Sequence, residues 1–281
     1  MSARIDAHQH FWRYRPKTHA WINDAMASLK RDFLPEDLKP LLRASGFDGS
    51  IAVQAQQDVA ETEWLLSLAD DHDVVRGVVG WVDLRSRDVE RDLARLSQHP
   101  KLVGVRHVVQ DEPAGFMAGG DFRRGIAALE QYGLAYDILI YERQIPEAVD
   151  LVRAFPHQRF VLDHIGKPNI RAHLVGTATI DAWRDGIRLL AEHGNVYCKL
   201  SGLVTEADWR AWQPADFTPY IETVVDAFTP ARCMIGSDWP VCTLGGTYER
   251  VLGIVSSFLQ TLPLHEREFF LGGVAEFVYR R

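Results

Sequence analysis

Short apolar runs rich in β-branched residues recur along the chain, and a stretch of helical, amphipathic spacing follows each one. Eight runs have the character of strands: Arg4–His8, Ser50–Gln54 (SIAVQ), Val75–Val82 (VRGVVGWV), Leu102–Val108 (LVGVRHV), Leu134–Ile140 (LAYDILI), Arg159–His164 (RFVLDH), Asn195–Leu200 (NVYCKL) and Cys233–Asp238 (CMIGSD). Helical spacing fills the intervals at Leu34–Ser45, Asp58–His72, Arg87–His99, Asp121–Tyr132, Gln144–Phe155, Ile180–His193 and Pro219–Phe228, and Thr247–Leu262 follows the last run. The first of these helices opens on Pro-Glu-Asp and stops at Gly46. The second starts acidic, as the positive end of a helix dipole favours. Strand–helix alternation predicts a parallel sheet. Eight units in 281 residues predict a closed (β/α)8 barrel, an α/β fold of one domain spanning residues 1–281. No G-x-G-x-x-G follows the first run, which argues against an open dinucleotide-binding sheet. There is no fixed-period repeat and no low-complexity segment. Trp12–Phe33, rich in Trp, Tyr and His, reads as an insertion after the first strand. Barrel sites form at that end of the strands, so it is expected to cover a pocket.

Composition narrows the function classes. Hydrophobic residues at 47% and charged residues at 25% suit a soluble globular protein. A net charge of −7 and an isoelectric point near 5.9, without a basic run, argue against a nucleic-acid partner and for a small, weakly charged one. Three cysteines with no C-x-x-C pair give no disulfide framework and fit a reducing compartment. Cys198 and Cys233 precede their strand ends and read as packed thiols rather than nucleophiles. Met1–Trp12 has no apolar leader core, and no stretch of 18 apolar residues exists. A cytoplasmic protein with no membrane partner is the expectation.

Candidate chemistry gathers at three strand ends. In Asp6-Ala7-His8-Gln9-His10, alternate residues share a strand face, so Asp6, His8 and His10 are expected to point the same way. Two imidazoles at this spacing can ligate one divalent metal, or one can bind metal while the other orients substrate. Asp163-His164-Ile165-Gly166-Lys167-Pro168 places His164 at the end of the sixth run, where Gly and Pro break the chain into a loop. Ile235-Gly236-Ser237-Asp238-Trp239-Pro240 ends the eighth run on Asp238, a carboxylate able to ligate metal or take a proton from water. Each signal alone has an ordinary reading: packed histidines, an Asp163 that caps a turn through local backbone, an N-cap aspartate. In a closed barrel all three converge on one rim.

DAHQHFW near the start, DHIGKP, KLSG and GSDWP together resemble the amidohydrolase-related ("amidohydrolase 2") family. Within it they resemble the sugar-lactonase branch of fuconolactonase- and rhamnonolactonase-like proteins, whose relatives include 2-pyrone-4,6-dicarboxylate hydrolase. The motifs occur in order through nearly the whole chain. The resemblance implies a (β/α)8 barrel that hydrolyses a lactone ester. His8 and His10 match the family's first-strand pair, His164 its later histidine, and Asp238 its last-strand aspartate and general base for water. Some relatives hold a single zinc and others are thought to act without metal. One divalent metal on His8, His10 and Asp238, or none, is therefore the expectation. Arg106 and His107 look like the family's substrate or oxyanion contacts. Gln54 could bond a sugar hydroxyl or be a plain polar strand end, and Lys199 in KLSG could be a substrate cation or a structural ion pair. Trp12, Trp81 and Trp239 offer aromatic faces to a sugar ring, with packing as the commoner role. One departure stands out: relatives carry Gly-Asn-Ala before the last helix, and here the run is Gly272-Gly273-Val274-Ala275. Val in place of Asn predicts lost support near the pocket.

A sugar lactone is the expected substrate. The rivals are a dicarboxylate lactone hydrolase or metal-dependent decarboxylase on the same barrel, and a non-catalytic sugar-binding barrel. A more anionic substrate would want several cations at the rim, where only Arg106, Lys167 and Lys199 are expected. The oligomeric state is left open.

Overall fold

The computed structural model describes residues 3–280. Met1, Ser2 and Arg281, which belong to the expected domain span (the first two also to the stretch read for a leader), lie outside the described residues. Eight strands run β1 (Ile5–Gln9), β2 (Gly49–Val53), β3 (Val75–Gly80), β4 (Leu102–Val108), β5 (Ala135–Leu139), β6 (Phe160–Leu162), β7 (Val196–Leu200) and β8 (Cys233–Ile235). They pair in parallel and in sequence order. The seam between β8 and β1 is closed just beyond β8, where Asp238 N–H donates to the His8 carbonyl (2.8 Å) and His10 N–H to the Trp239 carbonyl (2.7 Å). Eight parallel strands with helices between them make a (β/α)8 barrel, as the alternation predicts.

The helices occupy the intervals read from sequence, trimmed by a residue or a few at most ends: Pro35–Ala44, Val59–Asp71, Val89–Leu96, Gly120–Gln131, Ile145–Ala154, Asp181–Ala191, Thr218–Phe228 and Tyr248–Leu259. Start signals act as expected. Pro35 takes the first helical turn, and the Asp58 carboxylate accepts from Ala60 N–H at 2.9 Å. Helix faces and outward strand residues build one large apolar layer between helices and sheet. A second apolar cluster fills the barrel interior with Ile5, Ala7, Ile51, Val53, Val79, Val103, Val161 and Met234. It is sealed by the C-terminal segment through Val274, Ala275, Val278 and Tyr279. Val274 is thus buried apolar packing against the start of β1, at the end of the barrel away from the strand C-termini. The Asn-to-Val departure lies in this seal and removes nothing at the pocket end.

Two corrections to the strand reading bear on the site. β6 and β8 are only three residues long, so His164 and Asp238 follow their strands on turns. The β1 register shifts between Asp6 and Gln9, which breaks strict alternation. Asp6 consequently faces away from His8 and His10. Its carboxylate accepts from Ser237 N–H (2.8 Å), Ser237 O–H (2.6 Å) and Tyr248 O–H (3.0 Å), and it pins the loop after β8.

The segment after β1 is clamped at its neck by reciprocal backbone bonds between Trp12 and Phe33 (3.0 and 2.9 Å). Trp12 is fully buried there, against Phe33, Trp21 and His19, with its indole N–H on the Arg31 carbonyl (2.9 Å). Cys198, Cys233 and Cys242 are buried and unbridged, and burial raises each thiol above its ordinary range. Among the described residues, no helix is long and apolar enough to cross a membrane.

Candidate active site

A cavity of about 810 Å³ opens at the C-terminal ends of the strands. His10, Gln54, Arg106, His164 and Asp238 line its floor. The loops after β4 to β7 supply a polar wall of Gln110, Tyr141, Lys167, Glu206 and Trp209. Thr18, Trp21 and Met26 reach it from the β1 insertion, which covers the pocket as expected.

Several residues of the turns after β6 and β8 sit in costly backbone conformations. His164 (φ 53°), Ile165 (52°), Lys167 (46°) and Asp238 (58°) are all left-handed, a rare state for residues other than glycine and rarer still for a β-branched one. Strain of this kind persists where the surroundings over-determine a geometry, and it concentrates at functional sites. The motif glycines explain how the groups approach so closely. A Cβ on Gly236 would lie 2.8 Å from His8 Cβ, and one on Gly202 would lie 2.5 Å from His164 Nδ1. The glycines of GSDWP and KLSG are therefore spacers that let two imidazoles in.

The partners assign the imidazole protons. His10 Nδ1 lies 2.8 Å from the Val53 carbonyl, which only accepts, so Nδ1 carries a proton and Nε2 is the nitrogen turned to the site. His8 Nδ1 lies 3.2 Å from the Asp163 carboxylate and 3.3 Å from the Lys199 ammonium, and its Nε2 lies 3.3 Å from Arg106. Burial pushes His8 well below its ordinary value and His164 down to about 4, so both rings are neutral near pH 7. The two Nε2 atoms then stand 3.2 Å apart, with Asp238 Oδ1 at 3.4 Å from His10 and 3.9 Å from His8. Burial opposes ionisation of Asp238, yet His164, His10 and His8 together hold its carboxyl below the usual carboxylate range.

Three candidate ligand atoms thus converge on one point. A divalent cation answers that arrangement. Tetrahedral zinc with Zn–N and Zn–O near 2.0–2.2 Å requires ligand separations of roughly 3.3–3.6 Å, and the observed triangle brackets them. The Nδ1 partners, a carbonyl and a carboxylate, are the outer groups that usually orient zinc histidines. The residues present therefore fit a single metal on His8, His10 and Asp238.

Beneath the floor lies a buried ionic network. Lys199, 0% exposed, reaches Asp137 Oδ2 at 2.5 Å and Asp163 Oδ1 at 3.0 Å. Arg106 donates to Asp163 Oδ2 (3.0 Å), the Gln54 carbonyl (2.5 Å) and Gln54 Oε1 (3.2 Å). Tyr279, from the C-terminal seal, donates to Asp137 at 2.8 Å. Burial pushes Asp137 up to about 6 against the pull of Lys199. Burial likewise opposes ionisation of Asp163, but Lys199, His8 and Arg106 surround it and hold it well below the usual range. Two cations and two carboxylates so balance each other. Asp163 is a hub of this network and not the local turn cap that the sequence also allowed.

The structure brings His8, His10, His164 and Asp238 together, with Arg106 and Gln54 beside them. It does not bring the other expected substrate contacts to the cavity. Lys199 is enclosed in the network below. His107 points to the outer side of β4, against Phe116 and Phe122, with Nε2 on Glu112 (2.8 Å). Trp81 donates to His107 Nδ1 at 3.3 Å, and Trp12 and Trp239 pack with Phe33. Neighbouring strand residues face opposite sides, so one of the pair Arg106 and His107 had to be lost to the outer layer. Conversely, sequence reading missed Glu206, Trp209, Gln110, Tyr141 and Glu61. The Glu61 carboxylate accepts from Ala55 N–H (2.9 Å), Gln56 N–H (2.7 Å) and the Gln56 side chain (3.2 Å), and so shapes the cavity-lining loop after β2. Glu61 lies in the first turn of the helix Val59–Asp71, and each of the others on a loop after a strand, which is the one signal that would have found them.

Known proteins share this arrangement widely along the chain. An L-fucono-1,5-lactonase of Burkholderia multivorans is 42% identical over 283 residues, covering 98% of this chain and 95% of that protein. A second L-fucono-1,5-lactonase, from Burkholderia ambifaria, is 38% identical over 88% of this chain and 84% of its own length. A crystal structure of an amidohydrolase from Burkholderia multivorans with bound zinc superimposes with a TM-score of 0.94 at 41% identity, covering 99% of both chains. The amidohydrolase family matches residues 5–281, beginning at the first residue of β1. Barrel, histidine-rich floor and near-complete match agree, and the chain belongs to the amidohydrolase family.

Proposed function

We propose that this protein is a lactone hydrolase that opens the ester ring of a neutral sugar acid lactone, of the kind its fuconolactonase relatives are named for. The observation that carries this reading is the Asp238 carboxylate within 3.9 Å of the Nε2 atoms of His8, His10 and His164, on the floor of a cavity whose cations are already paired. Arg106 is held by Asp163, and Lys167 by Glu206 at 3.2 Å. The cavity lining has two fixed cations, Arg106 and Lys167, against four carboxylates, Asp58, Asp111, Glu206 and Asp238. Among the side chains alone, a dicarboxylate lactone or an aromatic acid would enter this field against repulsion and find both lining cations already in ion pairs. A polar, uncharged polyol ring meets no such penalty.

The chemistry follows from the floor. Water adds to the lactone carbonyl as Asp238 takes its proton. His164 keeps Nδ1 on Ser201 (2.9 Å) and turns Nε2 toward Asp238 Oδ1 (3.9 Å), where it donates to the developing oxyanion. Arg106 adds positive charge at the same floor. The tetrahedral species collapses, the ring C–O bond breaks, and the proton held by Asp238 passes to the departing ring oxygen. The products are a carboxylic acid and a hydroxyl on one chain. A divalent ion on His8, His10 and Asp238 supplies Lewis-acid polarisation of the carbonyl when bound.

The test is acid release from a panel of aldono-1,4- and aldono-1,5-lactones, with and without chelator. Turnover of a subset is expected, and Asp238→Asn is expected to lose at least about 100-fold in kcat. Silence of the wild type across the panel, with metal supplied, would sink the reading. A folded Asp238→Asn enzyme of near-normal turnover would remove Asp238 as the base.

A further inference from the structure

The wall of the cavity holds an ion pair that the hydrolytic chemistry does not use. Lys167, on the strained turn after β6, and Glu206, on the turn Val204–Glu206 after β7, stand 3.2 Å apart with side chains only 15% and 17% exposed. Lys167 also donates to Gln110 Oε1 at 3.0 Å and lies 4.8 Å from the centre of the Tyr141 ring. Its ammonium has three N–H donors, and these two bonds leave one over. Lys167 occupies one oxygen of the Glu206 carboxylate. A carboxylate has about four acceptor sites, so most of that capacity is open to the cavity. Burial pushes the Glu206 carboxyl up, with the charge of Asp238 adding to the push, and Lys167 opposes both. The fold therefore keeps a partly desolvated carboxylate facing an empty space, where an amide or an apolar residue would cost less.

Beside the pair stands Trp209, whose indole N–H is tied to the Thr205 carbonyl at 3.1 Å and whose ring also lines the cavity. A fixed aromatic face next to a carboxylate–ammonium pair is a complementary surface for one chemical object: a ring with C–H groups on one face and neighbouring hydroxyls on its edge. The carboxylate accepts both hydroxyl protons, and the spare ammonium N–H donates to one of their oxygens.

We propose that Lys167 and Glu206 read a pair of adjacent hydroxyl groups on the lactone ring, away from the reacting carbonyl, and so set which sugar lactone the enzyme accepts. The proposal rests on the lactone-hydrolase reading above. It makes both residues specificity determinants; neither joins the proton transfers at Asp238.

The test compares fully hydroxylated aldonolactones with deoxy lactones of the same ring size lacking those hydroxyls. Wild type, Glu206→Gln and Lys167→Met are each assayed for kcat and KM, with thermal denaturation to verify folding. On the hydroxylated lactone each variant is expected to lose about 10- to 100-fold in kcat/KM, mainly through KM, the scale of a hydrogen bond to a charged group. The loss on the deoxy lactone is expected to be at least about tenfold smaller. Equal losses on both substrates in folded variants, or no loss on either, would overturn the hydroxyl reading and leave the hydrolase reading standing. Wild-type silence on every lactone would overturn both.

Discussion

The barrel holds two lysine–carboxylate pairs close to the same cavity, and they differ in one respect. Lys199 and Asp137, under the floor, are fully enclosed, whereas Lys167 and Glu206, on the wall, keep some contact with solvent. The floor pair is knitted to Asp163, Arg106, His8 and Tyr279, so its charges are satisfied by protein alone. The wall pair retains unused donors and acceptors on the cavity side. Full burial turns an ion pair into scaffolding, because each charge must be matched in the fold itself. Partial burial leaves it able to exchange protein or water partners for those of a ligand.

The largest expected effect breaks the floor pair. Lys199→Met leaves Asp137 and Asp163 short of a cation in the barrel interior and is expected to cost about 3–5 kcal/mol in urea denaturation. The double variant Lys199→Met/Asp137→Leu removes one of those charges and should recover much of the loss. A cost under about 1 kcal/mol for the single change would erase the distinction drawn between the pairs. Next comes a pH effect at Glu61, which supports the loop between floor and wall. Burial raises this carboxyl to about 7, against the pull of three N–H donors. The folded chain then holds the proton more tightly than the unfolded one, whose value is about 4.3. That contribution to stability is complete below about pH 4 and disappears as pH rises through about 7. Wild type should lose stability relative to Glu61→Gln over this window, and parallel stability profiles would refute it. Tyr279→Phe removes a hydrogen bond to the floor carboxylate Asp137 and should cost about 1.5–3 kcal/mol, measured by the denaturation midpoint. The smallest stability change is expected at the wall. Lys167→Met should shift unfolding by less than about 1 kcal/mol while altering KM, and the reverse pattern would make the wall pair scaffolding too.

The same contrast explains how far the sequence could be read. All eight strands and their helices were legible, because a parallel sheet between helix layers imposes long, regular apolar runs. The convergence of His8, His10, His164 and Asp238 was legible because three strand ends must meet in a closed barrel. Asp6 was misjudged because a bulge leaves no trace in a two-residue period. His107 was assigned to substrate with its neighbour Arg106, which the pleat sends to the opposite face, and Trp81 because it falls near a strand end, although its indole meets His107. Lys199 could be read as a substrate cation or as a structural ion pair, and nothing in KLSG announces that Asp137 and Asp163 await it. Glu206 and Glu61 were missed for a related reason. Each sits in an ordinary loop or first helical turn, and its importance comes from what folds against it.

The excess of carboxylates around the cavity bears on how a catalytic cycle ends. Under the proposed reaction the guest arrives uncharged and leaves, after ring opening and ionisation, as an anion. It then stands among Asp58, Asp111, Glu206 and Asp238, with Arg106 already committed to Asp163. The field that is indifferent to the entering molecule drives out the departing one. In the metal-free protein the pocket therefore favours release, and accumulated hydroxy acid should be a poor inhibitor there even where its parent lactone binds well.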